Sequence, residues 1–219
     1  ISLKAKKHLM NEILLIILAY MIGSIPTSVI ISKTQFNIDI RDYGSGNAGA
    51  TNTFRILGKR FGWMVLLTDV AKGTTAACLP FFLAQTAFSG YKDEFLILQL
   101  VGGFTAVVGH VFPIFAQFRG GKGVATSLGI VIGINPPAAA VCLALFLLVF
   151  LSTRYVSLGA IISALCFPLV SYFFIHNDTR IMIIFTIVLG TLVIWAHRQN
   201  IERLLKGTEN RMNLFAKKS

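Results

Sequence analysis

Seven continuously apolar runs take up most of this chain, at residues 12–32, 61–84, 95–115, 124–134, 138–151, 155–174 and 180–197. Such runs belong in hydrocarbon, where about 20 apolar residues in a helix satisfy their own backbone and cross a ~30 Å layer. Strands of a membrane barrel alternate apolar and polar residues; these runs do not. Charge is correspondingly scarce: Asp, Glu, Lys and Arg make up 13% of residues, against roughly 25% in soluble chains. Mean hydropathy is +0.73. The expected fold is an all-α polytopic membrane protein, a single domain over residues 1–219. It has seven transmembrane helices, one of them short or broken, and re-entrant-like cytoplasmic loops.

The fourth run covers only about 16 Å as a helix, and Asn135, Pro136 and Pro137 break it. Gly23, Ser24 and Pro26 in the first run predict a kink and close helix packing. Residues 1–11 are basic and lead into an apolar run, as in a secretory signal. That run is longer than a signal's apolar core and no small-residue cleavage site follows, so it reads as the first span. Cys78, Cys142 and Cys166 lie scattered in apolar segments, which fits neither a disulfide framework nor a metal site.

Seven spans place the two ends of the chain on opposite faces. The face bearing loops 33–60, 116–123, 152–154 and the tail carries fourteen of the twenty Lys and Arg residues; the other carries five, and Lys72 lies inside a span. The positive-inside rule makes the first face cytoplasmic and the N-terminus external. Asp93, Glu94 and Asp178 on the outer face do not overturn the count. The expected location is a bacterial inner (plasma) membrane. Every polar cluster that looks like more than a loop falls on the inner face.

One cluster, Gly109 to Thr126, contains Arg119, Gly120, Gly121, Lys122 and Gly123 ahead of a helix expected near Val124. Glycines let backbone N–H groups converge as an anion nest, and a helix start adds positive potential, with Thr126 and Ser127 in its first turn. Lys122 adds a charge and Arg119 a planar fork. It is not a standard P-loop, because Ala116 stands where the first glycine belongs. Two readings stay open, a phosphate cradle and a basic turn that only orients helices. His110 near its start reads first as a structural histidine bonded to a carbonyl, and Phe112, Pro113, Phe115 and Phe118 as packing and interface anchors.

A second cluster runs from Gly44 to Asn52, with Arg55 beyond. Gly44, Gly46 and Gly49 imitate a dinucleotide fingerprint, but a transmembrane helix precedes them, not a strand, which excludes that fold. What remains is a nest with donors on Ser45, Asn47, Thr51 and Asn52 and a bidentate partner in Arg55, or a turn capping the next helix. A third cluster runs from His197 to Glu209. His197 and Asn200 are three apart on one helix face. Glu202 is turned about 140° from His197, so the two are not paired. Gly207 ends the helix and returns Thr208 and Glu209 toward the site; Arg203, Lys206 and Arg211 read as a basic surface for anionic lipid. Asp69 and Lys72, three apart inside the second span, are either functional or a self-neutralising pair.

Together the three clusters resemble the PlsY family of bacterial acyl-phosphate-dependent glycerol-3-phosphate acyltransferases. The resemblance rests on Gly44-Ser-Gly-Asn with Gly49-Ala-Thr-Asn52 and Arg55, on Gly109-His with Phe112-Pro113 and Gly120-Gly-Lys-Gly-Val-Ala-Thr126, and on His197 with Asn200-Ile, Arg203, Gly207 and Glu209. It covers residues 13–209. It implies transfer of an acyl group from acyl phosphate to the 1-hydroxyl of sn-glycerol 3-phosphate, giving lysophosphatidic acid and inorganic phosphate. It implies no metal, no cofactor, and neither acyl-CoA nor acyl carrier protein as direct donor. Membrane lipid is the expected surrounding partner, and no nucleic acid is expected. An activated donor requires no enzyme nucleophile, and none stands out, so positioning and electrostatics carry the rate. Ser45, Lys122, His197 and Asn200 are expected to act in catalysis. Gly44, Gly46, Asn47, Arg55, Gly120, Gly121, Gly123 and Thr126 are expected to hold phosphate, and Glu209 to orient glycerol. Arg55, His197 and Asn200 are assigned to glycerol phosphate, with Ser45, Lys122 and the 120–123 backbone on the other phosphate. Thr51, Asn52, Asp69, Lys72 and His110 are further candidates. The alternatives are a transporter of phosphorylated solutes, which usually shows repeats and a midplane site, and a non-catalytic lipid-binding scaffold.

Overall fold

The computed structural model describes residues 3–83, 92–174 and 179–212, and within them it contains helices and turns but no strand. Ala84, Asp178, Lys217 and Lys218 of the sequence reading lie outside the described residues. The chain divides into two compact units, Ile1–Pro136 and Pro137–Ser219.

The first unit contains α1 (Leu3–Gly23), α2 (Thr27–Phe36), α3 (Ala50–Ile56), α4 (Lys59–Leu83), α5 (Lys92–Val111) and α6 (Val124–Ile134). The predicted first span is broken: Pro26, without an N–H, separates α1 from α2. Helix α4 is the centre of the unit and packs against α1, α5 and α6. Small residues set these distances. A Cβ on Gly73 of α4 would occupy the Thr126 carbonyl of α6, and one on Gly129 of α6 would occupy the Val70 carbonyl of α4. The two helices therefore cross backbone to backbone. Ala19, Ala76 and Ala106 meet between α1, α4 and α5 with no exposed surface.

The second unit contains α7 (Pro136–Thr153), α8 (Val156–Phe174), α9 (Thr179–Ala196) and α10 (Arg198–Leu205). Helix α9 buries Met182, Phe185, Leu189 and Val193 along one face and packs on α8. Its other face, with Ile184 63% exposed beside Ile187 and Val188, is equally apolar. Water disfavours such a face; lipid accepts it.

The structure does not confirm the count of seven spans. Among the described residues, five helices have spanning length and apolarity: His8–Phe36, Lys59–Leu83, Glu94–Ala116, Pro136–Thr153 and Val156–Phe174. A sixth arises if Arg180–Ala196 and Arg198–Leu205, bent by 61°, count as one. Val124–Ile134, as its length suggested, is an apolar helix of 11 residues. Asn135 closes it and Pro136 starts the next helix.

At the end of the second unit, Gly207 (φ 70°) reverses the chain, and the Thr208 N–H donates to the Arg203 carbonyl at 2.8 Å. This returns the Glu209 carboxylate beneath α10. It accepts from Ser157 Oγ at 2.8 Å, Asn200 Nδ2 at 2.7 Å and Arg203 Nε at 2.7 Å. Burial pushes the Glu209 carboxyl up, but the bonds from Arg203, Asn200 and Ser157 outweigh it and hold it below its ordinary 4.5. Because the folded value lies below the unfolded one, this lock contributes fully above about pH 4.5 and is lost as pH falls through the lowered value. Glu209→Gln should lower the thermal stability of the detergent-solubilised protein by about 1–3 kcal/mol at neutral pH. The deficit should shrink on acidification; an unchanged midpoint at pH 7 would refute the lock.

Candidate functional site

The first unit builds its polar site from the chain reversals at the ends of α1, α2 and α5. After α2, Asn37 takes a left-handed conformation (φ 56°). Ser32 then fastens the turn, its hydroxyl accepting from the Ile40 N–H at 3.2 Å. Arg41 grips Asp39 bidentately, Nε to Oδ1 at 2.8 Å and Nη2 to Oδ2 at 2.6 Å. The bonds from Arg41 hold the Asp39 carboxyl well below the usual carboxylate range. The third guanidinium nitrogen donates to the Ala116 carbonyl at 2.7 Å. Arg41 thus ties the first cluster to the second. The sequence reading counted it only as surface charge; the signal was the Asp39-x-Arg41 spacing next to a glycine loop.

Gly44 (φ 62°) and Gly46 (φ 70°) need the left-handed region, as a glycine loop at this place suggests. Asn52 organises them. Its Oδ1 accepts from the Ser45 N–H at 2.9 Å, and its Nδ2 donates to the Ile40 and Tyr43 carbonyls at 3.1 and 2.9 Å. Asn52 is buried and its amide is spent on the loop, so it positions Ser45. Arg55 lies three residues on, on the same face of α3. It is half-buried and makes no hydrogen bond or ion pair among the described residues. Asn47 and Thr51 are half-buried beside the loop.

The Gly109–Thr126 cluster differs from the expected nest. The Gly120 N–H donates to the Val111 carbonyl at 3.2 Å and the Gly121 N–H to the His110 carbonyl at 3.0 Å. These amides cap the end of α5 and do not converge on an anion. The glycine pair is needed for close approach: a Cβ on Gly120 would strike the His110 carbonyl, and one on Gly121 the His110 ring. Of the glycines here only Gly123 is left-handed (φ 79°), as N-cap of α6. The N–H groups that remain for an anion are those at the start of α6, next to half-buried Lys122. Thr126 is fully buried against α4, and its hydroxyl has no partner among the described residues. Ile114, Phe115 and Phe118 are exposed, as interface anchors would be.

Below this turn lies a buried charged cluster. Lys72 Nζ donates to Asp69 Oδ1 at 2.8 Å and the Ile25 carbonyl at 2.9 Å, and lies 3.2 Å from His110 Nδ1. His110 therefore does not sit alone as the sequence suggested; it closes the Asp69–Lys72 pair. A small recess with room for about one water molecule opens here, lined by Pro26, Thr27, Ala48, Asp69, Lys72, His110, Gly120 and Gly121 among others. It brings the 44–49 loop and the 120–121 turn to one place.

In the second unit, His197 is not on the helix with Asn200. It is the residue at the α9–α10 bend, and its carbonyl accepts the Asn200 N–H at 2.8 Å. Its Nδ1 meets the Val193 carbonyl at 2.7 Å, which places a proton on Nδ1. Arg203, read from sequence as lipid-facing, instead pairs with Glu209. Ser157, which no motif marked, is the far anchor of that carboxylate. Among the described residues no group of three or more His, Cys, Asp or Glu could hold a metal ion.

The sequence profile described as glycerol-3-phosphate acyltransferase matches residues 13–207. A glycerol-3-phosphate acyltransferase of Chlorobaculum tepidum is 42% identical, the match covering 93% of this chain and 97% of that one. One from Bacillus cytotoxicus is also 42% identical, over 94% and 96%. Among solved structures, the glycerol 3-phosphate form of PlsY, an integral membrane glycerol 3-phosphate acyltransferase, superposes with a TM-score of 0.82 at 36% identity, covering 94% of this chain and 99% of that one. Its lysophosphatidic acid form gives 0.78 at 35%, over 93% and 96%. These likenesses extend across both units and all three clusters, and the chain belongs to the glycerol-3-phosphate acyltransferase family of integral membrane enzymes.

Proposed function

We propose that this chain moves an acyl group from acyl phosphate to the 1-hydroxyl of sn-glycerol 3-phosphate without a covalent enzyme intermediate. The hydroxyl oxygen attacks the acyl carbonyl carbon, the bond from that carbon to the phosphate oxygen breaks, and the departing phosphate takes the hydroxyl proton. Lysophosphatidic acid and inorganic phosphate result. The observation that carries this reading is Arg55: a planar guanidinium, half-buried on the face of α3 whose Asn52 holds Ser45, with no counter-ion among the described residues. Such a fork is suited to a phosphate. The glycerol 3-phosphate and lysophosphatidic acid forms of the related PlsY are acceptor and product of this reaction.

Arg55 takes the glycerol phosphate. Ser45, Lys122 and the first amides of α6 take the phosphate of the donor. His197 and Asn200 bind substrate as well, and Glu209 chiefly positions Asn200, one of its four acceptor sites being left for a glycerol hydroxyl. The cysteines take no part: all three are half-buried within apolar helices. The family match over 13–207 supports one acyltransferase domain. The lysine and arginine bias supports an inner-membrane protein with the N-terminus outside and the active face cytoplasmic.

Purified protein in detergent, given acyl phosphate and glycerol 3-phosphate, should release phosphate continuously, and Lys122→Ala should abolish it. Equal turnover with acyl-CoA or acyl carrier protein would overturn the donor assignment. Arg55→Ala should raise the glycerol-phosphate KM on the order of 10- to 100-fold with little loss of stability; an unchanged KM removes Arg55 from the site. Cys78, Cys142 and Cys166 changed together to Ala should leave turnover largely intact. An inactive but folded triple variant would mean that a thiol is the nucleophile after all.

A further inference from the structure

We infer that His110 donates its Nε2 proton to a phosphoryl oxygen of bound substrate, in the recess under the Gly120-Gly121 turn. The tautomer follows from the neighbours. An ammonium only donates. Lys72 Nζ has three protons and three partners: Asp69 Oδ1, the Ile25 carbonyl and His110 Nδ1. His110 Nδ1 is therefore an acceptor, and the ring proton sits on Nε2.

Nε2 is the atom that a side chain on Gly121 would meet first. Glycine there lets the turn lie directly against this edge of the ring, and both residues line the recess. Nε2 makes no hydrogen bond among the described residues. A second donor faces the same space: Thr27 lines the recess, and its buried hydroxyl has no partner there either. A buried donor without an acceptor, as the Thr27 hydroxyl is, costs free energy in a protein that has nothing to give it. Lys72 is saturated by its three contacts, so its role is to fix the tautomer. Lys122, assigned above to the donor phosphate, is next in sequence to Gly121. His110 is thus a binding residue for an oxyanion, and Asp69 and Lys72 are positioning residues that aim it.

The assignment rests on the phosphate-handling reading above, and its test keeps the two apart. The amide nitrogen of glutamine falls near Nε2 of histidine and that of asparagine near Nδ1. His110→Gln, His110→Asn and Thr27→Val are compared with the parent protein in detergent. Thermal midpoints are measured first. Inorganic phosphate and sn-glycerol 3-phosphate are then each titrated calorimetrically, and KM and kcat are measured with acyl phosphate.

His110→Asn should weaken binding of at least one probe, or raise the KM of one substrate, by tenfold or more, while His110→Gln stays within a few-fold of the parent. Thr27→Val should weaken the same ligand without lowering the thermal midpoint. The proposal is overturned if asparagine is tolerated and glutamine is not, because His110 then serves Lys72 alone. It also falls if all three variants bind and turn over as the parent does. Should His110→Asn fail to fold, unaltered binding and KM in Thr27→Val overturn it. If the parent protein ignores acyl phosphate but the binding losses appear, the donor reading fails and the His110 assignment stands.

Discussion

A charge buried among apolar helices holds this structure to one arrangement. Lys72 lies half-way along α4, the helix against which α1, α5 and α6 pack. Its ammonium reaches three different elements: Asp69 on its own helix, the Ile25 carbonyl at the α1–α2 break, and His110 at the end of α5. An ionised group in hydrocarbon is expensive unless every proton is met. Here every proton is met, and only when the three elements stand where they do. The break at Pro26 is part of this, because it turns the Ile25 carbonyl away from helical bonding and toward Lys72.

The polar loops are built outward from that point. The end of α5 presents the His110 and Val111 carbonyls, and Gly120 and Gly121 close over them. This turn leads directly into Lys122 and the start of α6, which the Gly73 and Gly129 crossing presses against α4. From the other side Arg41 reaches the Ala116 carbonyl and joins the loop that Asn52 shapes around Ser45. The second unit has its own counterpart in Glu209, one carboxylate fastening α8, α10 and the returning chain. In both units the charged groups that look most like substrate ligands on paper include several that are spent on architecture.

This explains what could be read in advance. Glycines requiring positive φ were legible at Gly44, Gly46 and Gly207, since loop glycines next to helix ends have few other uses. Lys122 and Arg55 were legible as cations in glycine-rich surroundings. The glycine pair at 120–121 was legible as important but for the wrong reason, because a nest and a close approach leave the same letters in the sequence. Arg41 showed only its local spacing to Asp39, and Ser157 showed nothing, because the Ala116 carbonyl and the Glu209 carboxylate they reach lie 75 and 52 residues away.

Composition and the length of the apolar runs were enough by themselves to require helices in lipid, because only a helix or a closed barrel satisfies its backbone there and these runs do not alternate. The order of the three polar clusters was enough to mark the family. Which donors remain open toward a ligand was decided only by the tertiary structure. A hydrogen bond is settled by where its acceptor is, and the acceptors that claim Lys72, Arg41, Asn52 and the amides of Gly120 and Gly121 come from elements that meet only when the helices pack.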